Sequence, residues 1–181
     1  MHITGGKLRK RTVQVANTKT VRPTSAKVRE AIFSMIGQNL EGVSMLDAFG
    51  GSGIMGLEAW SRGAHPVRIT EKNAKNAAQI RQSVTLFKAD IEVQCVDATK
   101  CLKGNWDLIF LDPPYKMKIE PYLEQALSVG QWVVIAETDL KSPPNLTAVA
   151  TFNKEEWEVW KQKQYGASMI TIFRRVVSSV E

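Results

Sequence analysis

The sequence contains little cysteine and no long apolar run. Only Cys95 and Cys101 occur among its 181 residues, and their spacing matches neither a zinc site nor a redox motif. We therefore expect both to be reduced packing residues, and we predict no metal site. No apolar stretch approaches the roughly 20 residues of a membrane-spanning helix, and the first residues lack the apolar region of a secretory signal. These absences favour a cytoplasmic protein without a membrane partner.

Positive charge is concentrated at one end of the chain. The net charge is +6, yet residues 1–40 hold eight basic residues against one acidic residue, whereas residues 41–181 hold 16 basic and 17 acidic residues. An asymmetry of this kind is expected where one face of a protein meets a polyanion. The alternative is a solvated tail. The segment RPTSAKVREAIFSMIG weakens that alternative, because its apolar residues recur at helical spacing.

The first 40 residues have a pattern of their own. HIT and TVQVA, separated by Gly5-Gly6, predict a short hairpin over residues 2–16. Thr24 or Ser25 can cap a following helix, which Gly37 ends. We therefore expect a basic hairpin-and-helix extension over residues 1–40, facing RNA, and a larger domain over residues 41–181.

From residue 43 onward, strand-length apolar runs alternate with helix-length segments. The expected strands are VSMLDAF, PVRIT, IEVQCV, WDLIFL and QWVVIAET, and the expected helices cover residues 54–62, 73–88, 98–102 and 119–129. This alternation predicts an α/β fold with a doubly wound, mostly parallel sheet. LTAVATF, EWEVWKQKQYG and ASMITIFRRV are consecutive extended segments. They predict an antiparallel C-terminal edge to a seven-stranded sheet.

The stretch DAFGGSGIMG contains the pattern G-x-G-x-x-G, beginning at Gly51. Enzymes that bind NAD share this turn with methyltransferases that bind S-adenosylmethionine, so the pattern alone does not identify the ligand. The charge of the ligand separates the two classes. A carboxylate at Asp47 opposes an anionic pyrophosphate, whereas it favours the ammonium and sulfonium groups of S-adenosylmethionine.

Acidic residues also follow the next three expected strands. Glu71 is placed to bind ribose hydroxyls, as in both classes of enzyme, and Asp97 is placed to reach an adenine amino group with the Ala98 amide beside it. Each acid taken alone is more simply a solvated strand end or a helix cap. With Asp112, however, four acids end four consecutive parallel strands, which indicates a carboxylate-lined pocket.

The stretch DLIFLDPPYK is an apolar strand that ends in Asp112-Pro113-Pro114-Tyr115. The two prolines remove two N–H donors, so hydrogen-bond acceptors predominate there. Such a cluster suits the exocyclic amine of a nucleobase, because accepting both hydrogens frees the nitrogen lone pair for attack. Tyr115 offers a ring on which the base can stack. Positioning accounts for the chemistry, and no strong general base is needed.

DPPY and DAFGGSG together resemble the amino-group methyltransferases that act on adenine, cytosine or guanine. With RPTSAKVREAIF, DAFGGSGIMGLEAWSRGA, FLDPPY and the late YG, the whole chain is similar to the RsmD-type RNA methyltransferases. Members of that family methylate N2 of a guanine in small-subunit (16S) ribosomal RNA. The resemblance implies a Rossmann-like methyltransferase domain over residues 41–181, with S-adenosylmethionine as cofactor and S-adenosylhomocysteine as product.

The resemblance also implies roles for individual residues. Those expected around the cofactor are Asp47, Phe49, Gly51, Ser52, Gly53, Glu71, Lys72, Asp97 and Ala98. The target amine and its base are assigned to Asp112, Pro113, Pro114 and Tyr115. The expected RNA contacts, which combine the family's R-P-T segment with the basic arm, are Lys7, Arg9, Lys10, Arg11, Arg22, Thr24 and Arg29.

Three other functions compete with this interpretation. A DNA or RNA adenine-N6 methyltransferase uses the same acceptor cluster, but such DNA enzymes usually carry an added recognition domain. A dehydrogenase leaves DPPY unexplained. A non-catalytic RNA-binding assembly protein does not need Asp112 and Tyr115. We expect ribosomal RNA as the partner, alone or within a small-subunit particle, and a monomer. Trp157 and Trp160 are expected to pack at the antiparallel edge rather than to stack on RNA.

Overall fold

The computed structural model describes residues 1–14, 24–114, 117–140 and 156–176. The chain divides into two compact units, Met1–Cys101 and Leu102–Glu181. None of the described helices is both long enough and apolar enough to cross a membrane.

The first unit alternates helices with short parallel strands. Its elements are a 3-10 helix over Gly6–Leu8, α1 (Ala26–Ile36), β1 (Met45–Asp47), α2 (Ile54–Ser61), β2 (Val67–Thr70), α3 (Ala74–Leu86), β3 (Glu92–Gln94) and α4 (Ala98–Cys101). β2 pairs in parallel with β1 on one side and with β3 on the other. Leu46 and Ile69 at the centre of this arrangement are fully buried. The carboxyl ends of the three strands therefore point the same way.

Helix boundaries in this unit follow local sequence. Ser25, and not Thr24, caps α1, and its side chain accepts a hydrogen bond from the Val28 amide at 3.3 Å. Gly37 ends the helix with a φ of 116°, a conformation that favours glycine. Asn73 caps α3 by accepting from two amides of its first turn.

The predicted N-terminal hairpin is present, but its tip differs from the prediction. His2 and Thr12 form an antiparallel bridge, and the Ile3 amide donates to the Arg11 carbonyl at 3.0 Å. The chain does not turn at Gly5-Gly6; it runs through the 3-10 helix. The reason is tertiary, since the Leu8 amide donates to Ser61 Oγ of α2 at 2.8 Å. The tip is thus shaped by α2 rather than by the two glycines.

Glu58 on α2 is the centre of a buried ionic network. Its side chain has no exposed surface, and it lies between the guanidinium groups of Arg29 from α1 and of Arg62, the residue that directly follows α2. Arg29 Nε donates to Oε1 at 3.0 Å, and Arg62 donates to Oε2. The amide and the hydroxyl of Thr4 add hydrogen bonds of 2.8 and 2.9 Å to the same carboxylate. One side chain therefore holds the N-terminal segment, α1 and α2 together.

The second unit contains the remaining strands. Its elements are β4 (Trp106–Leu111), α5 (Glu120–Val129), β5 (Gly130–Asp139), β6 (Trp157–Tyr165) and β7 (Ser168–Arg175). β4 and β5 are parallel, whereas β7 is antiparallel to both β5 and β6. The predicted class, a mostly parallel seven-stranded α/β fold with an antiparallel C-terminal edge, is confirmed. The predicted segment LTAVATF lies outside the described residues.

Trp157 belongs to the interior of this second unit. It is only 5% exposed. A Cβ atom on Gly130 would lie 3.0 Å from its ring, so the absence of a side chain at Gly130 makes room for the indole. Trp157 therefore packs at the antiparallel edge, as the sequence predicts.

Substitution Glu58→Gln is expected to destabilise the fold by about 3–5 kcal/mol. The change keeps the shape of the side chain but leaves two buried guanidinium groups without a counter-charge. Urea unfolding monitored by circular dichroism measures the loss. Glu92→Gln, which removes the partner of Arg68 in an exposed pair, is the matched control and should cost less than about 1 kcal/mol. Equal costs for the two variants would contradict the assigned role of Glu58.

Candidate active site

The glycine turn between β1 and α2 lies close to β2. The Gly50 amide donates to the Thr70 carbonyl at 2.7 Å, and the Gly53 amide donates to the Gly50 carbonyl at 2.6 Å. Gly51 and Gly53 have φ values of 54° and 75°. A Cβ atom on Gly56 would lie 2.4 Å from Ile69, so α2 packs against β2 at a distance that only glycine permits. Each glycine of the G-x-G-x-x-G spacing thus has a geometric reason in this chain.

Asp47 is buried directly behind this turn. Its side chain is 1% exposed, and Oδ2 accepts a hydrogen bond from the Gly56 amide at 3.2 Å. Oδ1 is buried without a hydrogen-bond partner among the described residues. Burial, together with the nearby charge of Glu71, raises the pKa of Asp47 to about 7, although hydrogen bonding to the Gly56 backbone acts in the opposite direction. A buried carboxylate with an unsatisfied oxygen suits a cationic ligand group.

Glu71 closes the turn from the end of β2. Its Oε2 accepts from the Gly51 amide at 2.8 Å, and its Oε1 accepts from the Asn73 amide at 2.7 Å. In a dinucleotide site the turn amides are needed for the pyrophosphate. Here the Gly51 amide already donates to a carboxylate, which would repel a phosphate. The geometry therefore disfavours NAD, while the second lone pair on each oxygen can still accept from ribose hydroxyls.

Asp97 stands at the end of the third strand and remains partly exposed. Hydrogen bonds from the backbone and then the hydroxyl of Thr99 lower the pKa of this carboxyl, and the positive charge of Lys72 adds to the effect. Both Thr99 bonds go to Oδ1, at 3.0 and 2.9 Å, so Oδ2 is directed to other partners. Ala98 begins α4, and the amide of a first helical residue lacks an intrahelical acceptor. One acceptor and one donor thus lie side by side, as the edge of an adenine ring requires.

These residues of the first unit fit S-adenosylmethionine. The orphaned Oδ1 of Asp47 and the ionised Asp97 supply negative charge and acceptors, and the positive-φ glycines allow close approach of the backbone. Phe49 is half-buried and Ser52 is buried beside them. Hydrogen bonds connect Asp47 and Glu71 to the glycine turn and to the start of α2, whereas Asp97 and Ala98 follow β3. The cofactor roles of these residues stay predictions.

The Asp-Pro-Pro segment belongs to the second unit and directly follows β4. Asp112 is partly exposed, Pro113 is buried, and Pro114 is exposed. The Pro114 carbonyl accepts from the Met117 amide at 2.7 Å. That bond occupies one lone pair of the Pro114 carbonyl. The other acceptors that the segment offers to a target amine are the Asp112 carboxylate and the Pro113 carbonyl. The predicted stacking residue, Tyr115, lies outside the described residues.

Two of the predicted RNA contacts are wrong in this structure. Arg29 is 1% exposed and donates to Glu58, to the Thr24 carbonyl and to the His2 carbonyl. Thr24 is 6% exposed. A buried side chain cannot contact RNA, so we assign both residues a structural role.

The arm itself is exposed, as an RNA contact requires. Arg9, Lys10 and Arg11 are solvent-accessible, and Arg9 lines an open cavity of about 510 Å³. Lys7 is also exposed, but its ammonium lies 3.4 Å from the centroid of the Trp60 ring. Arg22 lies outside the described residues.

Sequence reasoning missed the buried network around Glu58. A clue was present, since Glu58 and Arg62 lie four residues apart and are the only charged residues of an otherwise apolar helix. Two opposite charges on a buried helix usually pair with each other or with a third group.

Solved structures of similar fold define the class. A structure titled "Putative methyltransferase yhhF from Escherichia coli" matches with a TM-score of 0.81 at 22% identity, covering 97% of each chain. A structure titled "Crystal structure of SMU.776, a putative methyltransferase complexed with SAH" matches 82% of this chain and 48% of its own at a TM-score of 0.67 and 12% identity. This chain therefore shares its fold with solved proteins whose titles describe them as methyltransferases.

Sequence relatives identify the family. The family model described as conserved hypothetical protein 95 matches residues 1–174. "Putative rRNA methyltransferase YlbH" of Bacillus subtilis is 36% identical over 96% of this chain and 97% of its own. Ribosomal RNA small subunit methyltransferase D of Haemophilus influenzae is 28% identical over 92% of this chain and 89% of its own. The chain belongs to the conserved hypothetical protein 95 family, which is the RsmD-type family that its motifs resemble.

Substitution Asp47→Asn is expected to remove a pH dependence of stability. Unfolded aspartate titrates near 3.8, whereas buried Asp47 titrates near 7. Between these values the folded wild type binds more protons than the unfolded chain, so its stability falls as pH rises from about 4 to about 7. The shift of about 3 pKa units corresponds to roughly 4 kcal/mol.

Urea unfolding of both proteins between pH 5 and pH 8 measures this effect. The wild type should lose stability relative to Asp47→Asn as pH increases, and the difference should level off above pH 7. A difference that is constant across this range would show that Asp47 is ionised throughout.

Proposed function

We propose that this protein transfers a methyl group from S-adenosylmethionine to the exocyclic N2 amine of a guanine in small-subunit ribosomal RNA. The observation that carries the proposal is the buried carboxylate of Asp47, with its unpartnered Oδ1 behind a glycine turn whose Gly51 amide already donates to Glu71. That arrangement favours a cationic cofactor over an anionic one. Family membership then connects the cofactor to RNA methylation.

Residues of the first unit hold the cofactor in this proposal. Asp47 attracts the ammonium end, Glu71 accepts from the ribose hydroxyls, and Asp97 with the Ala98 amide pairs with the adenine edge. Lys72 is exposed next to Glu71 and its charge acts on Asp97. When bound, S-adenosylmethionine supplies a methyl group on a positively charged sulfur, and methyl transfer to the target nitrogen leaves S-adenosylhomocysteine.

The Asp112 segment holds the target amine. The Asp112 carboxylate and the Pro113 carbonyl accept its two hydrogens, which concentrates the lone pair on nitrogen and fixes the direction of attack. Tyr115 stacks on the base. The methylated ammonium is acidic and loses its proton afterwards, so no residue needs to act as a strong base.

The names of the relatives support RNA as the substrate. The matched proteins of Haemophilus influenzae and Escherichia coli are both named ribosomal RNA small subunit methyltransferase D. The exposed arm of this chain, with Arg9, Lys10 and Arg11, supplies the positive charge that such a substrate requires. We therefore propose residues 1–40 as the RNA-facing extension and residues 41–181 as the methyltransferase domain.

Substitution Asp112→Ala is expected to lower the rate of methyl transfer by about 100-fold or more. Loss of a positioned hydrogen-bonding group at the reacting centre typically has an effect of this size. Cofactor affinity should change by less than about twofold, because no cofactor contact is assigned to Asp112. Labelled methyl transfer and calorimetric titration measure the two quantities.

Asp90→Ala is the matched control, since Asp90 is an exposed acid whose Oδ2 lies 3.7 Å from Nδ1 of the exposed His65. It should retain full activity. Full activity in Asp112→Ala would remove this segment from the mechanism. Tight binding of NAD to the wild type, without binding of S-adenosylmethionine, would end the methyltransferase interpretation.

Neutralising the arm is expected to weaken RNA binding. The triple variant Arg9→Gln, Lys10→Gln, Arg11→Gln should bind RNA less tightly, with a salt slope smaller by about 0.7–0.9 for each lost phosphate contact. Lys75→Gln, Lys88→Gln, Lys103→Gln removes the same charge from exposed positions elsewhere. Equal salt slopes of RNA binding in the two triple variants would show that the arm is a solvated tail without phosphate contacts.

A further inference from the structure

Two aromatic rings of β6 stand beside basic side chains. Lys161 Nζ lies 4.0 Å from the centroid of the Trp160 ring, and Arg174 Cζ of β7 lies 4.8 Å from the same centroid. Lys163 Nζ lies 5.6 Å from the centroid of the Tyr165 ring. The sequence predicted that Trp160 packs at the antiparallel edge like Trp157, but Trp160 is only half-buried. No functional role assigned above uses any of these side chains. We refer to these five residues as the Trp160 face.

A β-bulge accounts for the position of Trp160. Val159 pairs with Phe173 and Lys161 pairs with Ile172, so the register shifts at Trp160, which is the extra residue. A bulge redirects a side chain out of the regular alternation of the strand. Beyond it, Lys161, Lys163 and Tyr165 occur at every second residue and share one side of the strand. Without the bulge, this row would carry one aromatic ring, that of Tyr165. The bulge therefore adds the ring of Trp160 at the other end of the row.

The Trp160 face is accessible and positively charged. Trp160 and Tyr165 are half-buried, and Lys163 is exposed. The face carries Lys161, Lys163 and Arg174, and Glu158 forms an ion pair with Arg174 across the two strands, so the formal charge of the face with Glu158 included is positive. Half-buried rings with fixed cations differ from the interior packing of Trp157, which is 5% exposed.

This combination matches the chemistry of a single-stranded nucleic acid. Bases stack on exposed aromatic rings without sequence preference, while neighbouring cations contact the phosphates. A double helix keeps its bases stacked on one another and offers no ring to Trp160 or Tyr165. The five-residue separation of the two rings corresponds to about 16 Å along a strand, which is long enough for more than one nucleotide.

We propose that the Trp160 face binds a single-stranded segment of the RNA substrate, with bases stacked on Trp160 and Tyr165 and phosphates beside Lys161 and Lys163. The proposal rests on the proposed function in taking RNA as the substrate. It adds to the N-terminal arm a second RNA-binding region, built from the antiparallel end of the fold. The two regions differ in kind, since the arm offers charge alone and the Trp160 face offers charge with stacking.

The test of stacking compares Trp160→Ala with Trp160→Phe. Binding of a short labelled oligouridylate, measured by fluorescence anisotropy without cofactor, should weaken by about tenfold in Trp160→Ala, because one stacked base is lost. Trp160→Phe retains a ring and should bind within about twofold of the wild type. Thermal melting of both variants establishes that the antiparallel strands remain folded.

The test of charge uses two double variants. Lys161→Gln with Lys163→Gln should reduce the salt slope of binding by about 1.4, since each lost phosphate contact on a single strand contributes about 0.7. Lys88→Gln with Lys103→Gln removes the same charge from exposed positions elsewhere and should leave the slope close to that of the wild type.

Unchanged RNA affinity in folded Trp160→Ala, or equal slopes in the two double variants, would overturn the proposal. Normal RNA affinity with reduced methylation of assembled small subunits would also overturn it, in favour of a protein contact. The proposed function fails separately. If the wild type methylates no RNA but binds it through Trp160, the RNA-binding role of the Trp160 face stands and the proposed methyltransferase activity is refuted. If the wild type methylates RNA and Trp160→Ala binds RNA as tightly as the wild type, the methyltransferase activity stands and the RNA-binding role of the Trp160 face is refuted.

Discussion

The pairing of Glu58 with two buried arginines is the constraint on which the first unit depends. A carboxylate without exposed surface is tolerated only because Arg29 and Arg62 neutralise it and Thr4 satisfies its remaining lone pairs. Since α2 begins directly after Gly53, the same helix follows the glycine turn and anchors the N-terminal segment. The basic arm therefore has a fixed base, and its exposed cations extend from a rigid support rather than from a tail.

A second buried carboxylate, Asp47, has the opposite character. Its Oδ1 has no partner among the described residues, and its raised pKa shows that the folded protein holds the charge at a cost to stability. Such a cost is typical of functional sites, where a group is placed for a ligand rather than for the fold. A cationic ligand offsets the cost. Glu58 is thus paired within the fold, whereas Asp47 keeps a buried oxygen that the proposed function assigns to a cationic ligand.

Local rules predicted the elements of the fold well and the tertiary ion pairs poorly. Strand and helix order, a cap at Thr24 or Ser25 and the stop at Gly37 depend on neighbouring residues, and a sequence shows these directly. Arg29 flanks an apolar stripe in the same way whether it faces solvent or a carboxylate 29 residues away, so its burial was not predictable from α1 alone. The hairpin tip differed because Ser61 binds the Leu8 amide.

Labelled methyl transfer to small ribosomal subunits, naked ribosomal RNA and DNA, followed by nucleoside analysis, tests the central claim most directly. The account predicts that the label appears in RNA as N2-methylguanosine and that none appears in DNA. Label in N6-methyladenosine would contradict the guanine assignment. Absence of label from every substrate, with S-adenosylmethionine bound, would contradict the claim that the carboxylate-lined turn and the Asp-Pro-Pro segment serve methyl transfer.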